Sequence, residues 1–145
     1  ASSGYNPRMA RASALLPAPT GPVIATNAPL DSRQLRALAL RAGLGMARTG
    51  LYSSLGSGDL FLAFSTGYVF ERTPSYDVKA PTTQILQDEP VLNALYLATV
   101  EATEGAIYDA LFNAKTMTGK GGVTVYGLPR TQVVKMLHAA GVAAP

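Results

Sequence analysis

The chain has 145 residues, the size of one ordinary domain, and 48% of them are hydrophobic, which is enough for a core. The net charge is only +3 and the basic residues form no run, which argues against a nucleic-acid partner. No apolar stretch approaches the roughly 18 residues that cross a membrane, so no membrane role is expected. The lack of cysteine excludes disulfides and thiolate chemistry, and the single histidine, His138, argues against a histidine-based triad or metal cluster. We expect no cofactor.

The first part of the chain predicts an arm, a strand and a helix. Residues 1–21 contain several prolines and no hydrophobic period, so we interpret them as an irregular N-terminal arm ahead of a domain portion at 22–145. The apolar run at 22–27 predicts a buried strand. Asp31 or Ser32 can cap a following helix, which Gly50 can end in a left-handed turn. Gly43 and Gly45 inside this helix indicate that another backbone packs close to it.

The second part predicts two more strand-and-helix pairs. Residues 59–66 are mostly apolar, which predicts a strand covered on both faces. After a polar loop, Asp88 and Glu89 open the longest predicted helix, within 88–119. A strand at 123–128 and a helix from Pro129 to Gly141 follow.

The predicted order β-α-β-α-β-α indicates an α/β (α+β) fold. Only 14% of the residues are charged, which is low for an isolated soluble domain. We therefore expect a sheet with helices on one face and a second sheet on the other, as part of a layered sandwich that another chain or segment completes.

The stretch Ser57-Gly58-Asp59 lies at the start of the second predicted strand. Serine and glycine are typical of a tight turn, which is one interpretation. The other is functional: Ser57 and Asp59 are two residues apart, so on an extended chain they point to the same side. A hydroxyl beside a carboxylate can orient an amine or relay a proton. The glycine-rich run 117–122, by contrast, lacks the spacing of a phosphate-binding loop, and we interpret it as a turn.

Several motifs together resemble one hydrolase family. They are ATNAPL at 25–30, ARTG at 47–50, GSGDLFLAFST at 56–66 and ATVEATEGAI at 98–107. In this order they resemble the C-terminal half of the family that contains the L-aminopeptidase/D-amidase-esterase, the β-peptidyl aminopeptidases and the nylon-oligomer hydrolase. The similarity covers most of residues 22–135.

The resemblance implies a fold and a mechanism. Members of the family are made as an inactive precursor with a four-layer αββα fold, which cleaves itself into a long α chain and a short β chain. The new N-terminal Ser or Thr of the β chain becomes the nucleophile that attacks a peptide, amide or ester carbonyl. The resemblance further implies that this chain is the β subunit, that Ser57 and Asp59 lie beside the nucleophile, and that αβ units form a homo-oligomer.

The nucleophile is where this sequence departs from the family pattern. The family spacing falls at Pro19 or Thr20, and only Thr20 carries a hydroxyl. Thr20 is preceded by nineteen residues, whereas Ser2 and Ser3 are near the first residue but far from the strand. Three interpretations stay open: residues 1–19 are an uncut piece of precursor, they are an inserted loop with the nucleophile near residue 2, or hydrolysis has been lost.

Two functional hypotheses follow. The first is a self-processing N-terminal-nucleophile hydrolase, an aminopeptidase, amidase or esterase, with Thr20 as nucleophile and Ser57 and Asp59 beside it. The second is a non-catalytic family member that serves as a structural or binding module. The expected partners are an α subunit from the same precursor and a small peptide, amide or ester. The sequence is compatible with a cytoplasmic or a periplasmic location.

Overall fold

The computed structural model describes residues 12–15 by their backbone, and residues 21–56, 58–68 and 87–142 in full. The elements, in chain order, are β1 (Ala12–Leu15), β2 (Val23–Thr26), α1 (Ser32–Arg48), β3 (Leu62–Ser65), α2 (Glu89–Asn113), β4 (Met117–Thr118), β5 (Thr124–Val125) and α3 (Arg130–Ala139). This mixture of helices and strands confirms the predicted α/β class. None of the helices in the described part of the chain has the length and apolar character that a membrane span requires.

The chain divides into two compact units, Ala1–Ala106 and Ile107–Pro145. In the first unit, three strands form a sheet in the order β1-β2-β3, with β1 antiparallel and β3 parallel to β2. Strand β1 corrects the prediction of a wholly irregular arm at 1–21, because residues 12–15 pair with β2. The short run ASAL has no strand signal of its own, and its extended state comes from pairing with a strand elsewhere in the chain.

Helix α1 begins and ends where its local sequence predicts. Asp31 is the N-cap: its Oδ1 accepts a hydrogen bond from the Gln34 N–H at 2.6 Å, and the Asp31 N–H donates to Gln34 Oε1 at 3.0 Å. Each side chain thus satisfies an amide that the first turn leaves without a helical partner. Ser32 is the first helical residue, and Gly50 follows the helix with φ +98°.

One face of the sheet and the two long helices enclose the core. The buried cluster contains residues of β2, the following turn, α1 and α2, namely Ile24, Ala28, Leu30, Leu38, Ala42 and Leu95. Gly45 lets α1 approach α2 closely, because a Cβ there would overlap the Val100 carbonyl oxygen and lie 2.8 Å from the Thr103 Cβ. The prediction of a nearby backbone is correct for Gly45. It is wrong for Gly43, whose neighbour is the Phe61 ring at an ordinary 3.5 Å.

On the other face of the sheet, the described side chains of β3 are exposed. Ile24 is 0% exposed on the covered face, whereas Leu62 and Phe64 on β3 are 60% and 43% exposed. Leu62 pairs with Val23 and Phe64 with Ala25, so these four residues share this face, which we call the open face. Within the described part of the chain the helices cover one face only, so coverage of 59–66 on both faces stays a prediction that depends on another chain or segment.

The second unit contains a short hairpin and α3. Helix α2 ends at Asn113, and Met117–Thr118 pairs with Thr124–Val125 instead of extending the helix. The hydroxyls of Thr118 and Thr124 lie 2.9 Å apart across the hairpin. Within the glycine-rich run 117–122, Met117–Thr118 form β4 and Lys120–Gly122 form one turn of 3₁₀ helix before β5, so the predicted turn is correct for the part after Thr118. His138 lies on α3 with an exposed side chain.

Candidate active site

Strands β2 and β3 begin side by side, which brings together the residues that precede them. Val23 pairs with Leu62, and the Leu62 N–H donates to the Pro22 carbonyl oxygen at 3.2 Å. Two residues before the start of each strand, Gly21 meets Leu60: φ of Gly21 is +91°, and a Cβ there would overlap the Leu60 carbonyl oxygen. Only glycine fits this conformation and this close approach. We call this end of the strand pair, residues 21–22 and 59–60, the strand mouth.

Asp59 lies at the strand mouth with a partly buried side chain. Its Oδ2 accepts a hydrogen bond from Ser53 Oγ at 2.6 Å. Ser53 belongs to the exposed loop after α1 and has φ +52°, in the left-handed region. The mouth therefore presents a carboxylate that a neighbouring hydroxyl holds on one oxygen. Such a group can orient an amine or balance a positive charge.

Of the three predicted site residues, only Asp59 is among the described residues. Thr20 and Ser57 lie outside them, as do Ser2, Ser3 and Pro19. The described chain resumes at Gly21, directly after Thr20, and at Gly58, directly after Ser57. The roles of Thr20 and Ser57 stay predictions.

Sequence analysis missed Ser53. The segment LYSSLG contains two adjacent serines with nothing to distinguish them. What sets Ser53 apart is its left-handed backbone and its bond to a residue six positions away, and neither has a sequence signature. The sequence offered one weak signal for a functional serine here, namely that the loop is rich in glycine.

The opposite end of the two strands is held by side chains of residues 65–68, which bond to the turn that follows β2. Ser65 Oγ donates to the Ala28 carbonyl oxygen, and the Gly67 N–H donates back to Ser65 Oγ at 2.9 Å. Tyr68 Oη donates to the Pro29 carbonyl oxygen at 3.1 Å. These bonds tie the turn after β2 to the end of β3. We call this end of the strand pair, residues 26–30 and 65–68, the strand lock.

The strand lock also depends on a close backbone approach at Gly67. A Cβ at Gly67 would lie 2.9 Å from both the Asn27 carbonyl oxygen and the Pro29 Cα. The lock therefore fixes the relative position of β2 and β3, and with it the position of Asp59 against Gly21 at the other end.

Ionic contacts elsewhere in the first unit join the two long helices. Arg48 and Glu104 form an ion pair at 3.2 Å, and the Arg41 guanidinium lies 4.5 Å from the centre of the Tyr96 ring. The ion pair is exposed, and such pairs contribute about 0–1 kcal/mol. These contacts support the helix pair and contain no reactive group.

Comparison with known proteins places this arrangement among hydrolases. The sequence profile of peptidase family S58 matches residues 20–125. Two curated relatives are named β-peptidyl aminopeptidase BapA. The one from Sphingosinicella xenopeptidilytica is 38% identical over 117 residues, and the one from Sphingosinicella microcystinivorans is 38% identical over 115 residues. The matches cover 81% and 79% of this chain but only 29% and 28% of those proteins.

Solved structures agree with the sequence relatives. The PH0078 protein of Pyrococcus horikoshii is 38% identical with a TM-score of 0.70, and the match covers 83% of this chain and 33% of that one. A Burkholderia sp. β-aminopeptidase is 36% identical with a TM-score of 0.69, over 90% of this chain and 37% of that one. The L-aminopeptidase D-Ala-esterase/amidase of Ochrobactrum anthropi, described as a variant of the Ntn hydrolase fold, is 32% identical with a TM-score of 0.69, over 84% and 34%.

Proposed function

This chain belongs to peptidase family S58, and we propose that it is the nucleophile-bearing β chain of a self-processing aminopeptidase. The enzyme would release N-terminal residues from small peptides, amides or esters through an acyl-enzyme. The observation that carries the proposal is the family match over residues 20–125, which includes Thr20, Ser57 and Asp59. The chain spans only 29% of the length of a curated relative, so the activity belongs to a larger assembly.

We propose Thr20 as the nucleophile. Cleavage of the bond before Thr20 frees its α-amino group, whose unperturbed pKa of about 7.7–8.0 lets it act as a base near neutral pH. The amine takes the hydroxyl proton while Oγ1 attacks the substrate carbonyl; the C–N or C–O bond breaks, and the leaving group departs with a proton. Water then hydrolyses the ester and regenerates Thr20. While residue 19 stays attached, the nitrogen is an amide and cannot serve as the base.

In this proposal Asp59 and Ser57 orient the hydroxyl and the α-amino group of Thr20. The support for Asp59 is geometric: it precedes Leu60, whose carbonyl oxygen touches Gly21, and Gly21 directly follows Thr20. A carboxylate close to an α-ammonium stabilises its positive charge and orients the amine. Ser57 would hydrogen-bond the nucleophile or its ammonium group.

The proposed partner is an α chain from the same precursor. The open sheet face carries the exposed apolar side chains of Leu62 and Phe64, and exposed apolar patches mark interaction surfaces. A second sheet from the α chain would cover this face and complete a four-layer αββα sandwich. The low share of charged residues, 14%, fits a chain that lies against another. Homo-oligomers of these αβ units are part of the same proposal.

One observation favours the second hypothesis, a non-catalytic binding module. The family spacing of the nucleophile falls at Pro19 as well as Thr20, and proline has no hydroxyl. In a module without catalysis the strand lock and the core would be kept while no residue near position 20 reacts.

The deciding experiment is mass spectrometry of the purified protein, followed by an acylating active-site probe and peptide mapping. We expect an α chain to co-purify, a new N-terminus at Thr20, and the label on Thr20. Label on Ser2 or Ser3 would move the nucleophile into the N-terminal arm. An uncleaved, unlabelled protein that hydrolyses no aminoacyl amide would establish the binding module instead.

A further inference from the structure

The hydroxyl of Ser53 makes the one hydrogen bond to the Asp59 carboxylate within the described part of the chain. Ser53 Oγ lies 2.6 Å from Asp59 Oδ2. This is the separation typical of a charge-assisted bond between a hydroxyl and a carboxylate. Asp59 Oδ1 accepts no bond from any described residue, so it is available to a further donor.

The backbone of Ser53 shows that serine is not there to make a turn. It is the one non-glycine residue with positive φ among those described, at +52°, while Gly50 and Gly56 on either side of it adopt φ +98° and +87°. Glycine adopts this region freely, whereas serine does so at a conformational cost. Glycine would serve the turn better, so the feature that serine adds is its hydroxyl.

The bond has little to contribute to folding. Ser53 is exposed and Asp59 is only partly buried, and a hydrogen bond near solvent replaces one that water would make. Its effect is on orientation: a short bond on Oδ2 restricts the side-chain torsions of Asp59 and keeps Oδ1 turned in a fixed direction.

We infer that Ser53 is a positioning residue for the proposed hydrolysis: its hydroxyl holds the Asp59 carboxylate in one rotamer, and Asp59 in turn acts on the reacting group. The inference rests on the proposed function, because it assigns Ser53 a role through Asp59. Ser53 is assigned no contact with substrate or nucleophile and acts through Asp59. Its effect is therefore on the geometry of the reaction rather than on substrate binding.

The test compares three substitutions at residue 53 in the complete protein, this chain together with its α chain. Ser53→Gly removes the hydroxyl and relieves the backbone, so the melting temperature should stay level or rise while kcat falls roughly ten-fold with little change in KM. Ser53→Asn tolerates the left-handed region and retains a donor, so it should restore much of kcat. Ser54→Gly, in the same exposed loop, is the matched control and should leave kcat unchanged.

A double substitution distinguishes the inference from the proposed function. Asp59→Asn should lower kcat by itself, and adding Ser53→Gly should then have no further effect, because both changes remove the same oriented carboxylate. A wild-type kcat for Ser53→Gly beside a slow Asp59→Asn overturns the role of Ser53 alone. An equal loss from Ser53→Gly in both backgrounds also overturns it.

A wild-type kcat for Asp59→Asn contradicts the proposed function of Asp59 instead. If the wild-type protein has no turnover, the crystal structure of Ser53→Gly decides the contact without activity. We expect the Asp59 carboxylate to change rotamer. An unchanged rotamer would end the inference.

Discussion

The two ends of the β2–β3 pair differ in the hydrogen bonds that hold them. At the strand lock, Ser65 and Tyr68 donate to carbonyl oxygens of the turn after β2, and the Thr66 N–H donates to the Thr26 carbonyl oxygen at 2.8 Å. At the strand mouth, the backbone bond from Leu62 to Pro22 and the Ser53 hydroxyl on Asp59 are the hydrogen bonds among described residues. The lock uses its polar groups for structure, whereas at the mouth one oxygen of the Asp59 carboxylate accepts no bond from a described residue.

Each strand has four residues, and this difference indicates that one end of the pair serves stability while the other serves the reaction. A parallel pair needs its register defined at only one end, since pairing then carries it to the other. Substitutions at the mouth should therefore change turnover with little change in stability, and substitutions at the lock should do the reverse.

The largest effect is expected from Thr20→Ala at the mouth. Removing the proposed nucleophile should lower kcat on the order of 10⁶-fold, as loss of a nucleophile does in serine proteases. The melting temperature should stay the same. Thr20→Ser keeps a hydroxyl and should retain measurable turnover. Full activity in Thr20→Ala, measured by steady-state kinetics, would remove Thr20 from the mechanism.

Asp59→Asn should come next, with kcat lower by about 10²–10³-fold, the usual cost of losing an electrostatic partner of a reacting centre. The amide keeps the shape of the side chain, so the partly buried site should tolerate it. Steady-state kinetics measure the loss of kcat, and a thermal melt on the same sample checks that stability is retained. A large loss of stability with unchanged kcat would make Asp59 a structural turn residue.

At the lock, Gly67→Ala should destabilise the protein by about 1–3 kcal/mol, the usual cost of forcing a methyl group into a packed site. The added Cβ would lie 2.9 Å from Asn27 O and Pro29 Cα. Gly105→Ala is the matched control: nothing lies within 4 Å of its Cβ position on α2, so it should be stabilising by up to about 1 kcal/mol. Urea unfolding measures both, and equal stabilities would contradict the close approach at Gly67.

The smallest effect is expected from Tyr68→Phe, which deletes the hydroxyl that donates to Pro29 at 3.1 Å. Loss of one such bond should lower the free energy of unfolding by about 0.5–1.5 kcal/mol. Turnover at 25 °C should be unaffected because the rest of the lock remains. A loss of kcat without a loss of stability would show that the lock and the mouth are not separate.

The helix ends show what local sequence determines. Asp31 and Gln34 form a capping box within four residues, and Asp88 Oδ1 accepts from the Val91 N–H at 3.2 Å at the start of α2. Each of these contacts joins residues close in sequence, so the residue types alone predict them. The α/β class was predicted from the order of helices and strands, and the family was predicted from four short motifs and confirmed by comparison. Asp59 was predicted to open a strand, but β3 begins three residues later, at Leu62.

Contacts between distant residues had to await the tertiary structure. Strand β1 exists because Ala12–Leu15 pairs with β2, and the hairpin of β4 and β5 takes Met117 out of the predicted helix. The open face of β3 follows from which elements pack against it, since an apolar run is equally compatible with one covered face or two.

The candidate site also has features that the sequence predicts and features that only the tertiary structure decides. The sequence by itself indicated a carboxylate, Asp59, at the approach to a strand, and in the structure β3 begins three residues later, at Leu62. Only the tertiary structure decided that Leu60 touches Gly21 and that Ser53 holds the carboxylate. The first depends on which residues adjoin in the chain. The second depends on parallel pairing and on a left-handed backbone, which arise from interactions among residues that the sequence keeps apart.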